Sequence, residues 1–357
     1  SKNYAIPLAP KSSKDFSELL AELYEDSRPW HPCGLCTRVH WGPRLHESSI
    51  AISTRALRNV IKFSPEDLIV TVEAGISVGE LQATLREKNQ WLAIDWPWGS
   101  SPKSNQESTG TIGGLISRGF SGSLRHRHLG VRDQIIGIGI MRTDGIGAHA
   151  GGKVVKNVAG YDLMRLLCGS WGSLALIKEL TLRTQPIKPA NSQIEINGSL
   201  LAIESFRQDL INSSFTPEYI DWVGGSQKTW HLKIGLSSVS LKAIKDQLKG
   251  IKELAKNYKL HTNTNDWDGP LPKNQFPKVT SKDLPWLIRI SIPPSKGHEL
   301  ISSSFLKALN GWEWHIAAGI GLGEGWQEKS SCNTSLEEVK KLRKLINSIG
   351  GEMTVLI

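Results

Sequence analysis

The residues best placed to do chemistry lie in three glycine-centred stretches: CGLC at Cys33–Cys36, GTIGGLISRGFSG at Gly110–Gly122, and GGKVVKNVAGYDLMRLLCGSWGSLALI at Gly151–Ile177. Without a Cβ, glycine lets backbone N–H groups close on phosphate or ring oxygens, and successive amides form a concave anion site. Such loops suit a dinucleotide; the plainer reading is tight turns in a strand-rich domain. Two nucleotide motifs fail. No segment has GxGxxG between a strand and a helix, and GAHAGGKV at Gly147–Val154 puts Val154 where a phosphate-binding loop needs a magnesium-ligating Ser or Thr. Cys33 and Cys36 formally match a redox or half-zinc motif, but Cys168 and Cys332 stand alone, and the run into TRVHWGP is no helix start. We therefore expect no metal and read CGLC as a glycine-centred turn under a phosphate group.

The elements that must position these loops are legible in part. Asp15–Asp26 carries Phe16, Leu19, Leu20 and Leu23 at helical spacing. Ile50–Ile52, Leu57–Phe63 and Leu68–Val72 read as strands. Ser77 and Glu80 form a capping box before the apolar stripe Val78, Leu81 and Leu85. Trp91–Asp95 reads as a strand end running into an irregular stretch from Pro97 to Gly110, and Ile135–Met141 as a strand before a turn at Thr143-Asp144-Gly145. QPIKPANSQ, Gln185–Gln193, marks a domain boundary. Beyond it the expected strands are Gln193–Ile196, Thr229–Ile234, Trp286–Ile292 and Trp312–Ala317. The expected helices are Leu200–Leu210, Ser240–Lys256, Gly297–Leu309 and Ser335–Ser348. No internal repeat is evident.

At 357 residues the chain exceeds one typical domain core. Four cysteines without a disulfide framework point to a reducing compartment, so a cytoplasmic location is expected. No apolar run approaches the roughly 20 residues of a membrane span, which leaves peripheral attachment through partners. A net charge of +9 fits an anionic ligand, a partner or nucleic acid. Its densest patch holds Arg118, Arg125, Arg127 and Arg132 with His126 and His128, but no nucleic-acid module signature accompanies it, and nucleic acid is not expected.

GGKVVKNVAGYDL at Gly151–Leu163 together with GSWGSLALI at Gly169–Ile177 resembles the second half of the PCMH-type FAD-binding domain of the vanillyl-alcohol oxidase superfamily. Within that superfamily the chain is most similar to FAD-binding subunits of glycolate oxidase. The resemblance implies an α+β protein: a PCMH-type FAD-binding domain of two α+β subdomains over residues 1–188, then a ferredoxin-like α+β cap over 189–357. It also implies the site. Cys33, Gly34, Leu35, Cys36 and Thr37 take the place of the pyrophosphate loop, with Leu35 and Cys36 where two of three glycines usually stand. Asp95 with Pro97 resembles the Asp–Pro element before the second flavin stretch. Thr111, Ile112, Gly113 and Gly114 match its glycine pair, and Ser121-Gly122 and Arg132-Asp133 its later marks. Gly169, Ser170, Gly172, Ser173 and Ile177 complete the set.

In that frame Thr37 and the amides around Gly34 hold the pyrophosphate, and Gly113 and Gly114 admit backbone to the flavin. Asp133 accepts from a ribityl or amide donor, or is a surface ion pair with Arg132. Lys153, Lys156 or Arg132 stabilises the reduced ring at its N1–O2 edge. Tyr161 and Asp162 belong to the GYDL signature. The covalent histidine is missing, so noncovalent FAD is expected. WHIAAGIGL, Trp314–Leu322, resembles a segment that usually reads His-Ala-Gly-Asn-Gly; Ala317 stands at the His and Ile320 at the Asn, and His315 is no clear substitute. No catalytic residue is assigned. The expected function is an FAD-binding subunit of a glycolate oxidase-like enzyme that oxidises 2-hydroxy acids and passes electrons to partners, a paralogous flavin subunit and an iron–sulfur subunit. The alternatives are a non-catalytic scaffold of the same fold and an anion- or nucleic-acid-binding protein using the Arg118–Arg132 patch.

Overall fold

The computed structural model describes residues 7–43, 45–95, 98, 109–152, 162–226, 228–265, 285–327 and 334–357, and the strand and helix counts below are of those residues. The chain divides into two units: Ser1–Phe120 with Leu129–Ile187, and Ser121–His128 with Lys188–Ile357. Residues 121–128 thus group with the second unit, although they lie well before the proline-marked boundary in sequence.

In the first unit, helix α1 (Ser13–Glu25) is fixed by a capping box between Ser12 and Asp15 and buries Phe16, Leu20 and Leu23 on one stripe. Strands β1 (Trp30–Cys33) and β2 (Ile50–Ser53) pair in parallel. Then follow β3 (Val60–Ser64), β4 (Ile69–Glu73), α2 (Val78–Arg86), β5 (Gln90–Trp91) and α3 (Ile112–Arg118). The short α4 (Arg125–His128) belongs to the other unit. The first unit closes with β6 (Ile135–Met141), β7 (Gly147–Gly151), α5 (Leu163–Leu167), β8 (Leu176–Arg183) and β9 (Gln185–Pro186). An antiparallel sheet runs β3-β4-β8-β6-β7, and β5 pairs with β9. The Ser77–Glu80 box caps α2 as its sequence indicates, with Val78, Leu81 and Leu85 buried. The strand expected over Trp91–Asp95 stops at Trp91, because the next backbone partner is a side chain: Gln82 receives the Leu92 amide and donates to its carbonyl.

The second unit is built twice on one plan. Its first half is β10 (Ala190–Asn197), α6 (Leu200–Ile211), β11 (Tyr219–Gly225), β12 (His231–Ser238), α7 (Leu241–Asn257) and β13 (His261–Asn265). Its second is β14 (Trp286–Ser291), the split helix α8 (Gly297–Ser302) and α9 (Ser304–Ala308), β15 (Trp312–Ala317), β16 (Leu322–Gln327), α10 (Leu336–Ser348) and β17 (Glu352–Val355). Each half is a βαββαβ unit with strands in the spatial order fourth, first, third, second, which is the ferredoxin-like arrangement. The halves join edge to edge, β11 pairing antiparallel with β15, to give one eight-stranded sheet β13-β10-β12-β11-β15-β16-β14-β17.

The single cap without an internal repeat read from the sequence is therefore corrected to a duplicated one. The repetition lies in the fold and not in the residues. Strand β13 is polar HTNTN at a sheet edge and β16 is LGEGWQ with two glycines, so neither carries the apolar alternation of a half-buried strand. The helix expected as one piece over Gly297–Leu309 breaks at Ser303, which turns extended (ψ 140°) and caps α9 with its own hydroxyl. A core of aliphatics with Trp222, Trp312 and Trp314 fills the unit.

Candidate functional site

Three of the glycine stretches meet in the first unit. The CGLC loop leaves the end of β1, where Cys33 pairs with Ser53. Its Gly34 carbonyl accepts from Ser53 Oγ at 2.7 Å, and the Cys33 carbonyl accepts from the Thr54 amide at 2.9 Å. Gly34 lies flat against the start of α3: a Cβ there would sit 2.2 Å from Thr111 Oγ1, well inside contact distance. Thr111 is the N-cap of α3, its hydroxyl accepting from the Gly114 amide at 3.1 Å. The third stretch closes on the same place. The Gly169 amide donates to Ile116 and the Trp171 amide to Ser117, at the C-terminal end of α3, while Gly172 (φ +76°) passes so close to Pro32 of β1 that a Cβ would come within 2.5 Å.

A cationic and aromatic nest lies between these loops. Arg38, next after Thr37, donates to Thr37 Oγ1 (3.0 Å), to the Thr109 carbonyl (3.2 Å) and to the Trp98 carbonyl (2.7 Å). Arg118, at the end of α3, donates to the Arg38 carbonyl and stacks over Trp171 (4.3 Å) and Trp41 (5.4 Å). Phe120 packs on both Trp41 and Trp171. Burial draws both guanidinium groups down to about 10, and for Arg38 the positive charge of Arg118 adds to it. Both stay cationic at neutral pH, and among the described residues neither has a carboxylate partner. Arg118 Nη1, the Trp41 indole N–H and Ser170 Oγ, beside Trp171, are buried without a hydrogen-bond partner among the described atoms. Two like charges and three unfilled donors together form the donor set of an anion site. Sequence reading missed Arg38 and took Arg118 for part of a surface patch. The signal was the arginine directly after the Thr of the first loop.

The remaining expected residues fall as follows. Leu35 and Cys36 complete the loop beside Gly34, and Cys36 adopts φ +55°. The Gly113 amide donates to the Ala74 carbonyl at 2.8 Å, and the Gly114 amide to Thr111. Gly113 lets α3 pack against Ala74, since a Cβ there would lie 2.8 Å from the Ala74 methyl. Ile112 is buried under the same helix. Asp133 is exposed, and its carboxylate already receives the Gly130 amide at 2.9 Å; it is not paired to Arg132. Both charges act on the Cys168 thiol, so this turn lies beside Gly169. Ser173 Oγ donates to the Ser170 carbonyl, Ile177 is buried in β8, and Asp95 is half-buried past β5. Ser121 and Gly122 belong to the second unit, where the Ser121 carbonyl accepts from Arg289. Asp162 caps α5 by accepting the Arg165 amide. Pro97, Lys153, Lys156 and Tyr161 lie outside the described residues.

Residues 5–151 match the family model described as an FAD binding domain. The chain carries an FAD-binding domain. The nest fits that cofactor: cationic donors for a pyrophosphate lie beside a backbone approach, at Gly34, that a side chain would fill. The chain is 31% identical over 191 residues to a mitochondrial D-lactate dehydrogenase [cytochrome] of Arabidopsis thaliana, covering 54% of this chain and 32% of that one. It is 32% identical over 135 residues to glycolate oxidase subunit GlcE of Escherichia coli, covering 38% and 37%, and 29% identical over 219 residues to subunit GlcD of Bacillus subtilis, covering 60% and 44%. The chain thus spans less than half the length of each of these relatives. Among solved structures, an alkyldihydroxyacetonephosphate synthase superposes with a TM-score of 0.71 at 13% identity, over 96% of this chain and 71% of that one. That likeness establishes the α+β fold expected of a PCMH-type FAD-binding protein.

On the second unit, the segment resembling the His-Ala-Gly-Asn-Gly stretch is internal to the fold. Ala317 and Ala318 are buried, and His315 is 8% exposed with Nε2 2.8 Å from Asp221 Oδ2. Burial pulls the His315 pKa down, but the charge and hydrogen bond of Asp221, helped by Glu324, more than offset it and hold it above the ordinary value. The basic patch from Arg118 to Arg132 divides between the two units. Arg118 lies in the nest of the first unit, whereas His126 lies against Gly319 and His128 bonds Glu218 at 2.6 Å within the second.

One substitution tests the loop contact directly. Gly34→Ala is expected to weaken FAD binding at least about tenfold, because the methyl displaces Thr111 and with it the start of α3. Fluorescence titration of the apo-protein with FAD measures it, with circular dichroism as the check that the fold survives.

Proposed function

We propose that this chain is the noncovalent FAD-binding subunit of an enzyme that oxidises 2-hydroxy acids such as glycolate or D-lactate and hands the electrons to partner chains. The observation that carries the reading is the Arg38–Arg118 pair, two half-buried cations without a described carboxylate, set against the Gly34 and Gly172 turns. The relatives named for glycolate oxidase subunits and D-lactate dehydrogenases support the substrate class. Residues 1–188 form the cofactor part and 189–357 the cap, with 121–128 packed on the cap.

When bound, FAD supplies the two-electron acceptor for hydride from the substrate α-carbon. The chain's own residues bind and orient it. Arg38 and Arg118 neutralise the pyrophosphate, and Thr37 and Ser170 donate to it. Trp41, Trp171 and Phe120 exclude water around both guanidinium groups, which strengthens their hold on an anion. Arg132 would provide positive charge on the flavin side, and Asp95 and Asp133 would complete the first unit's share of the lining.

A proton acceptor for the substrate hydroxyl is not among the residues at 315–321: Ala317 is buried and His315 is held by Asp221. This favours a subunit that binds the cofactor while a paralogous flavin chain or an iron–sulfur chain completes turnover. Among the described residues no helix is long and apolar enough to cross a membrane; a cytoplasmic site fits the cysteine usage, with membrane association through partners as a further part of the proposal.

The test is to purify the chain, reconstitute it with FAD and remove free cofactor. Flavin absorption that stays with the protein and leaves on denaturation is expected; none after reconstitution would sink the reading. Dye reduction with glycolate or D-lactate, weak in the isolated chain and restored by co-purifying chains, supports the subunit role. Full activity of the isolated chain would overturn it.

A further inference from the structure

Cys33 and Cys36 are free thiols whose sulfur atoms lie 3.1 Å apart. They are placed unequally. Cys33 is the last residue of β1, 8% exposed, and its backbone is clamped by Thr54 and Ser53. Cys36 is half-buried, lies in an irregular turn at φ +55°, and is the more accessible sulfur. The hydrogen bond with Cys33 draws the Cys36 thiol down to about 7 against the opposing effect of burial, with the charge of Arg55 assisting; the same hydrogen bond and burial push Cys33 far up. Cys168, half-buried like Cys36, has its thiol pushed up to about 11 by desolvation. An accessible thiolate backed by a buried thiol in contact is the arrangement of an attacking and a resolving cysteine.

We propose that Cys33 and Cys36 form a reversible dithiol–disulfide site, Cys36 attacking and Cys33 resolving, that loosens the cofactor loop when oxidised. The oxidant is a low-molecular-weight disulfide. The Cys36 thiolate attacks one of its sulfurs, forming a mixed disulfide and releasing one thiolate. Cys33 then loses its proton to solvent and attacks Cys36 Sγ, and the second thiolate leaves. Two protein thiols are oxidised by two electrons, and the small disulfide is reduced to two thiols.

A disulfide needs a sulfur separation of about 2.05 Å, so closure draws the pair together by roughly 1 Å. Cys33 is fixed by its strand, and Gly34 has no room against Thr111, so the shift falls on Cys36 and Thr37. Thr37 Oγ1 is a partner of Arg38. The consequence for the cofactor rests on reading this loop as part of the FAD site; the sulfur chemistry does not.

The full-length chain is incubated with oxidised glutathione, alkylated and digested; residues 15–38 form one tryptic peptide holding both cysteines. Expected is the loss of two hydrogen masses from that peptide, reversed by dithiothreitol. Cys33→Ser should instead trap one glutathione on Cys36, and Cys36→Ser should react no faster than Cys168. FAD affinity should fall about fivefold on oxidation, the effect of roughly one lost hydrogen bond, and should not change in Cys36→Ser. No intramolecular disulfide, or glutathione trapped on Cys33 in preference to Cys36, overturns the site. A disulfide that leaves FAD affinity unchanged overturns the loop coupling. If neither form binds FAD, the cofactor reading fails and the mass result still decides the sulfur chemistry.

Discussion

Arg118→Met is expected to weaken FAD binding by about 10- to 100-fold, the loss of one charge-assisted contact of about 1.5–3 kcal/mol, while costing the apo-protein no more than about 1 kcal/mol. The asymmetry follows from what Arg118 does without a ligand. It gives one hydrogen bond to the Arg38 carbonyl and stacks on two indoles, and against these stand its own desolvation and its repulsion of Arg38. Methionine keeps the apolar stem between Trp41 and Trp171 and removes the charge. Arg38 is a poorer probe, because its three bonds to Thr37, Thr109 and Trp98 tie the loop together. Arg118→Lys should fall between wild type and Arg118→Met, since an ammonium restores the charge but not the planar fork. FAD titration by fluorescence quenching and chemical denaturation of the apo-form measure the two quantities. Equal losses in both would mean that Arg118 is structural.

Asp221→Ala is expected to destabilise the second unit by about 3–5 kcal/mol, because it removes the counterion of a buried imidazole and leaves that charge uncompensated. For a unit of this size that is a fall in melting temperature of roughly 6–20 °C. The pH dependence carries the sharper signature. A histidine whose folded pKa is raised contributes stability that is complete below its unfolded value of about 6.5 and is lost as pH rises through the folded one. Wild type should therefore lose stability relative to Asp221→Ala as pH rises above about 6.5, because in the variant the strongest pull that raises the His315 pKa is gone and burial is opposed only by Glu324. His126, which burial pulls down and Asp221 pushes up, changes in the same direction. Thermal unfolding of both proteins across that range checks the sign; parallel curves would mean that His315 is neutral in the native state. The pair sits where β11 meets β15, between Asp221 and the strand that carries His315, so it also reports on the seam between the two ferredoxin-like halves.

Local features read well from the residues. Ser77 and Glu80 name their helix because a capping box satisfies amides within one turn, and Phe16, Leu20 and Leu23 name theirs by spacing. Strand β6 shows itself as an apolar run despite Gly137 and Gly139. The features that failed depend on partners far away in sequence. Strand β11, YIDWVGG, was not expected at all: its polar Asp221 is explained only by His315, 94 residues on. The amides of Gly113 and Gly114 are taken by Ala74 and Thr111, and nothing in TIGG says so. The basic patch from Arg118 to Arg132 divides between the two units, because its side chains find partners far along the chain, Trp171 for Arg118 and Glu218 for His128.

The sequence by itself, through the resemblance of its glycine loops to PCMH-type FAD-binding domains, pointed to the cofactor, and its capping boxes and apolar spacings named individual helices. Helix capping and close backbone approach are set by a few adjacent residues, so short motifs carry them. Only the tertiary structure decided which side chains converge on the loops. It put Arg38 and Arg118 over the same indole, Trp41, and built the second unit as two joined copies of one plan. Like charges, orphan donors and strand pairings are properties of groups brought together across tens of residues, and no window of sequence contains both partners.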